Sequence, residues 1–243
     1  MKKIFTLILS LLILIFFMVT VMATDYLTQA DAIYEKDNLE SVVESLPLYR
    51  KAVEENPDSY ETNWKMARVL REYADLSMEA EVEGWKDICK DYGKEGLKYA
   101  ENAKDIEPER VEGNYFYGLC AGTYSDGISI LKAIREGLRK KTERSFEKAY
   151  EIDKMYDNAG PILALGRMWH QLPRLYRKTS RSEEYFEEYY QYFPENPQGL
   201  VYYAELLITR NKEDKAKELL EKAAQSDHSY FSKKARELLE KLS

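Results

Sequence analysis

Four times in this chain a large apolar side chain is followed at once by a small one: Met66-Ala67, Tyr117-Gly118, Leu163-Ala164 and Tyr203-Ala204. Each pair sits in a stretch whose apolar residues recur at spacings of three and four, the period of a helix packed on one face. A small residue at a fixed place in a series of helices is what a chain needs if those helices repeatedly approach a neighbour closely. Almost no stretch alternates with period two. At the C-terminus, "KEDKAKELLEKAAQ" puts Ala216, Leu219, Leu220 and Ala223 on one face, and "SKKARELLEKLS" does the same for Ala235, Leu238, Leu239 and Leu242. The fold class expected is all-α.

The spacing of the anchors resembles the tetratricopeptide repeat (TPR), a two-helix unit with a 34-residue period. That pattern wants a large residue at position 7 and a small one at 8, small residues at 20 and 27, a large one at 24, and a proline at 32 that stops the second helix. From Pro197 as position 1, Tyr203, Ala204, Ala216, Leu220 and Ala223 fall at 7, 8, 20, 24 and 27. A unit starting at Tyr60 has Met66 and Ala67 at 7 and 8; its second helix supplies Gly96, Ala100, Ala103 and Pro108. Units starting at Val111 and near Asp157 follow, and "LPLYRKAVEENP", with Ala52 and Pro57, reads as an incomplete opening unit. Starts at 60, 111, 157 and 197 exceed the 34-residue period, so the early units hold insertions between their helices. The architecture predicted is a TPR-like helical-hairpin solenoid of irregular repeats, with a capping helix from about Tyr230 to Leu242.

Residues 1–23 read differently. Lys2-Lys3 precede an uncharged apolar run from Ile4 to Ala23 that ends in Val21-Met22-Ala23, the pattern of a secretory signal peptide, or of an N-terminal anchor if uncleaved. Residues 24–243 then form the repeat domain, expected outside the cytoplasm, in the periplasm, either secreted or N-terminally anchored. Cleavage leaves 34 basic and 43 acidic residues, a net charge of −9. That balance argues against nucleic acid and against electrostatic attachment to a membrane surface.

The stretch "NYFYGLCAGTYSDG" contains Gly118-Leu119-Cys120-Ala121-Gly122, a G-x-C-x-G pattern that could be a nucleophile elbow. An elbow needs a strand entering and a helix leaving, and a cysteine nucleophile needs a base. Neither is legible here, because the flanks have helical spacing and the chain holds only His170 and His228. Cys120 therefore reads as a small buried apolar residue. Cys89 is the second cysteine; pairing between the two stays open. No metal-ligand spacing or phosphate-cradling glycine loop is present, so no cofactor and no metal is expected. The many Glu and Asp residues alternate with Lys along helix faces, which reads as solvated surface.

Tyr117-Gly118, "AGPILALGRMWHQLP" and "EEYFEEYYQYFPENPQGLVYYAELLI" together resemble the TatT family, the TPR-containing T components associated with tripartite ATP-independent periplasmic (TRAP) transporters. Gly166-Arg167-Met168-Trp169 followed by Leu172-Pro173 matches the order of that family's helix end. The resemblance implies a helical superstructure with a central apolar cavity that docks a periplasmic solute-binding protein and passes a hydrophobic ligand.

The residues themselves point to a binding scaffold rather than an enzyme. In stacked repeats the first helices line the concave face, which here includes Trp64, Arg68, Arg71, Tyr115, Leu119, Arg167 and Trp169, with bare backbone at Gly122. Aromatic walls with a few arginines suit an apolar organic acid or a peptide end, unless internal carboxylates already hold the arginines. An envelope-assembly scaffold without a small ligand is the alternative, and an enzyme using Cys120 a more remote one.

Overall fold

The computed structural model describes residues 26–35 and 38–242. The signal or anchor reading of residues 1–23 lies outside the described residues. Among those described, twelve helices and no strand are present: α1 (26–34), α2 (Leu39–Glu55), α3 (Tyr60–Glu79), α4 (Trp85–Ile106), α5 (Val111–Ile128), α6 (Ile130–Arg135), α7 (Leu138–Asp153), α8 (Tyr156–Gln171), α9 (Thr179–Tyr192), α10 (Pro197–Thr209), α11 (Glu213–Ala224) and α12 (Ser229–Lys241). No helix among the described residues is long and apolar enough to cross a membrane.

The helices pair as α3/α4, α5/α7, α8/α9 and α10/α11, with α1 and α2 in front and α12 behind. The first helices α3, α5, α8 and α10 also pack on one another in succession, which is the TPR arrangement. Their starts at 60, 111, 156 and 197 agree with the repeat register. The insertions take three forms. In the first complete unit they lengthen the helices, to 20 residues in α3 and 22 in α4. The second unit gains the short helix α6. In the third, Leu172–Lys178 forms a loop between α8 and α9.

Two helix starts share one device. Asn63, in the first turn of α3, donates its side-chain amide to the carbonyls of Pro57 (2.7 Å) and Ser59 (2.8 Å). Asn114 in α5 does the same to Pro108 and Arg110, both at 3.0 Å. In each case the proline that ends one unit is tied to the helix that opens the next, and a buried asparagine amide finds its partners. Ser59 and Asn196 cap α3 and α10, and Asn38 forms a reciprocal box with Ser41 at the start of α2.

Close approach depends on the small residues. Ala67, Ala164 and Ala204 are buried. A methyl group on Gly118 would collide with the ring of Phe146 in α7, and one on Gly93 would lie 2.5 Å from the backbone nitrogen of Tyr124, so α4 and α5 touch backbone to backbone. The apolar core runs the length of the array in three adjoining clusters, with Tyr99 shared by the first two and Tyr150 and Tyr185 by the last two.

α8 departs from the simple reading. Its first turn is left-handed through Asp157, Asn158 and Ala159, with φ of 50°, 55° and 59°, and it becomes an ordinary helix only at Gly160. Each such residue costs about 1–2 kcal/mol, so packing must impose the conformation. The Tyr115 ring packs edge-on against Tyr156 and its hydroxyl against Gly160 there, and Ala159 is fully buried.

Ala204 carries the register most directly. Replacing it with leucine inserts three carbons at a closed contact and should destabilise the protein by about 1–3 kcal/mol. Urea unfolding of Ala204→Leu checks this; an unchanged midpoint would mean that α10 does not pack as described.

Candidate functional site

The inner faces of α3, α5, α8 and α10 surround a cavity of about 580 Å³. α6, the first half of α7 and α12 also contribute to its lining. Lys233 of α12 reaches Glu81, in the turn after α3, at 3.0 Å, so the last helix approaches the first complete hairpin. This pair is exposed on both sides and adds little stability by itself; it marks where the ends of the array come together.

Five of the eight residues expected on the concave face line this cavity: Arg71, Tyr115, Leu119, Gly122 and Arg167. Three do not. Arg68 and Trp64 lie on the N-terminal half of the same α3 stripe, where α1 engages Arg68. Asp31 of α1 accepts from Lys65 at 2.6 Å and from Arg68 at 3.4 Å, and the Arg68 guanidinium lies 4.1 Å from the Tyr34 ring. Arg68 therefore borders a separate recess with Asp31, Tyr34, Glu35 and Lys65, while Trp64 stacks on Phe116 with ring centres 5.8 Å apart. Trp169 is fully buried, beneath the cations of Lys178 and Arg181. Two residues along a helix is about 200° of rotation, so Trp169 cannot share a face with Arg167.

Gly122 faces open space, with nothing within 4 Å of where a Cβ would sit. The glycine leaves bare helix backbone on the cavity wall without any packing demand. That separates it from Gly118, one turn earlier, where Phe146 fills the place of the missing side chain.

The cavity's cations are held by the protein's own carboxylates. Arg71 pairs with Glu72 at 2.8 Å and with Asp75 at 2.5 Å, and Asp75 also accepts from Thr123. Arg167 pairs with Glu205 and lies 3.9 Å from the Tyr202 ring; Lys234 of α12 joins the same Glu205 at 3.1 Å. Burial opposes ionisation of Glu205, but Arg167 and Lys234 outweigh it and hold its carboxyl below the usual range. Arg139 pairs with Glu143 at 3.2 Å.

Two carboxylates on the wall have neither a hydrogen bond nor an ion pair among the described residues, Glu79 and Asp126. Desolvation, reinforced by Asp75, pushes Glu79 up to about 7, against the pull of Arg71 and Lys234; Glu72 adds to the rise. Asp126 is raised to about 6 for the same leading reasons, with Arg167 and Lys234 opposing. Its side chain is open to the water of the cavity, yet protein rings it on most sides. Sequence reasoning missed both residues, along with Tyr202, Tyr230 and Lys234. The signal was present, since Arg71, Asp75 and Glu79 continue one stripe at steps of four and Asp126 lies four residues beyond Gly122.

The candidate nucleophile has a different setting. Cys120 is in the middle of α5, fully buried, and its thiol donates to the Ala67 carbonyl at 3.5 Å. Cys89 is likewise free and buried, near the Ala74 carbonyl at 3.7 Å. Burial pushes both thiols up to about 12, the reverse of what a thiolate nucleophile needs. His170 is held neutral, lowered to about 4 by burial and by Arg167. No cluster of three or more metal-ligating side chains occurs among the described residues.

This geometry meets its relatives at two levels. The pattern of the family described as "Regulator of microtubule dynamics protein 1-3" matches residues 26–170, more than half of the chain. The chain belongs to that family. The tetratricopeptide-repeat pattern matches residues 177–242, from α9 to α12. Among curated proteins none matches the sequence. Solved structures share the fold at low identity. TTC0263, a TPR protein of Thermus thermophilus, is 14% identical with a TM-score of 0.63, covering 89% of this chain and 98% of its own. PilF of Pseudomonas aeruginosa is 15% identical with a TM-score of 0.56, covering 85% of this chain and 77% of its own. MamA of Desulfovibrio magneticus is 12% identical with a TM-score of 0.55, covering 85% and 96%. Among its described residues, this member of the regulator of microtubule dynamics family thus has an all-helical, TPR-type fold.

The unpaired carboxyls give the cavity a pH signature. Both ionise less readily in the folded chain than in the unfolded one. Their contribution to stability is therefore complete below the ordinary carboxylate range and is lost as pH rises through about 6 and about 7. Glu79→Gln with Asp126→Asn should leave the thermal midpoint near its wild-type value at pH 4 and raise it at pH 8. Parallel curves for the two proteins over that range would contradict the unpaired, partly desolvated state of these groups.

Proposed function

We propose that the protein is a binding scaffold whose concave cavity receives an extended segment of a partner protein, and that the segment brings a cationic side chain to Glu79 and Asp126. The observation that carries this reading is a 580 Å³ cavity walled by successive first helices, with bare backbone at Gly122 and two unpaired carboxylates. A ligand carboxylate, suggested by the arginines alone, would have to displace Asp75 or Glu205 from Arg71 or Arg167. Separating these partly buried pairs opposes such a ligand, whereas a cation meets carboxylates that have no competing ion pair. The apolar wall from Leu119, Leu163 and Tyr202 would hold the aliphatic part of such a side chain.

The TatT resemblance supplies a specific version of this scaffold. In it the chain works outside the cytoplasm and the partner is the solute-binding protein of a TRAP-type transporter. The Gly166–Trp169 and Leu172-Pro173 order supports that version. An envelope-assembly partner uses the same cavity in the same way. The family's description concerns regulation of microtubule dynamics by its members; the chemistry of the cavity selects a kind of segment rather than a named partner.

Gly122→Phe fills the cavity from a position with free space, so the fold should be kept. Fluorescence anisotropy with labelled ten-residue peptides, lysine- and arginine-rich in one set and glutamate-rich in the other, tests the reading at pH 8. The basic set should bind wild type, and bind Gly122→Phe about tenfold more weakly or worse, a loss of about 1.4 kcal/mol. Equal binding to the two proteins, or preference for the acidic set, would contradict it.

A further inference from the structure

A surface beside the cavity mouth, independent of the reading above, has a charge opposite to that of the whole molecule. Residues 130–144 hold six basic side chains and two acidic ones, and residues 172–181 hold four basic and none acidic. These 25 residues carry +8 in a chain of net −7, so the rest carries −15. The two segments are neighbours in space. The Arg139 guanidinium of α7 lies 5.2 Å from the Tyr176 ring in the loop after α8, and Arg181 at the start of α9 pairs with Glu147 of α7 at 3.1 Å.

The opposing charges at this surface are few. Glu143 holds Arg139, Glu101 holds Lys141 at 3.1 Å, and Glu136 accepts from Tyr124 at 3.0 Å. Lys132, Arg135, Lys140, Arg144 and Arg174 are exposed and make no ion pair among the described residues. Between these cations stand large apolar side chains in water: Leu175 is 84% exposed, Leu131 55% and Tyr176 37%. Leu175 sits in a loop held in place from within, where Arg177 donates to the Leu172 carbonyl at 3.0 Å and Tyr176 and Arg177 close backbone turns onto Pro173.

We propose that this face docks the protein on an anionic membrane surface, with Leu175 and Leu131 entering the headgroup layer and the surrounding lysines and arginines meeting lipid phosphates. Cations alone would fit an acidic protein equally well. The protruding leucines decide between the two, because an acidic segment gives a solvent-exposed leucine nothing to bury against, whereas the boundary between headgroups and acyl chains accepts it. Each lysine or arginine near such a surface adds to the attraction, which salt weakens. The overall acidity of the chain is no obstacle, since screening limits a surface charge to its own neighbourhood.

The full chain also carries the apolar run Ile4–Ala23, so bulk sedimentation with vesicles would not isolate this face. A fluorophore sensitive to polarity, placed at Leu175→Cys, does; Cys89 and Cys120 are buried and leave the new thiol as the accessible one. Its emission should shift to the blue with vesicles of phosphatidylcholine containing phosphatidylglycerol and stay unchanged with phosphatidylcholine alone. Adding Lys140→Glu and Arg144→Glu should weaken the anionic-vesicle response about tenfold or more, with the helical circular dichroism unchanged. The proposal is overturned by an equal shift on both vesicle types, by no shift on either, by indifference to the charge reversals, or by a response to polyglutamate that matches the vesicles.

Discussion

Each first helix of the array lies against its hairpin partner and against the next first helix, and both contacts close only where one side chain is no larger than alanine. Ala67, Gly118, Ala164 and Ala204 occupy that place. At Gly118 the consequence is visible atom by atom, because the ring of Phe146 takes the volume of the missing Cβ. With hairpins held at this distance, the inner faces of α3, α5, α8 and α10 come close enough to line a common, partly open cavity. The left-handed first turn of α8 belongs to the same constraint: it places Gly160 against the Tyr115 hydroxyl and lets α8 meet α5.

Much of the fold was legible because it is written as a repeat. Starts, small anchors and stopping prolines recur at related offsets, and the paired devices Pro57–Asn63 and Pro108–Asn114 repeat them at the level of hydrogen bonds. What the sequence concealed are features with no repeat behind them. α1 has no counterpart in the TPR pattern, yet its Asp31 and Tyr34 engage Arg68 and set it beside a separate recess. α6 arises in an insertion. The α8 kink runs against the backbone preference of three ordinary residues and is imposed by tertiary contacts.

The site was legible in half. A helical wheel placed Arg71, Tyr115, Leu119, Gly122 and Arg167 on the inner face, and they line the cavity. The same wheel could show Asp75 one turn from Arg71, but not that Arg167 is already paired, since Glu205 lies 38 residues away. That pairing reverses the electrostatic character of the wall, leaving Glu79 and Asp126 as its free charges. Net charge misled in a similar way: −7 is the sum of a compact basic face and a strongly acidic remainder.

A double-mutant cycle at Gly118 and Phe146 tests the constraint most directly. In the wild-type background Gly118→Ala should destabilise the protein, because the new methyl meets the ring. In a Phe146→Ala background, itself weakened by about 3–5 kcal/mol, the same change should be neutral or stabilising, since the space is free and alanine favours the helix. The account predicts a coupling of about 1 kcal/mol or more. Effects that simply add, within about 0.5 kcal/mol, would contradict the close approach on which the cavity rests.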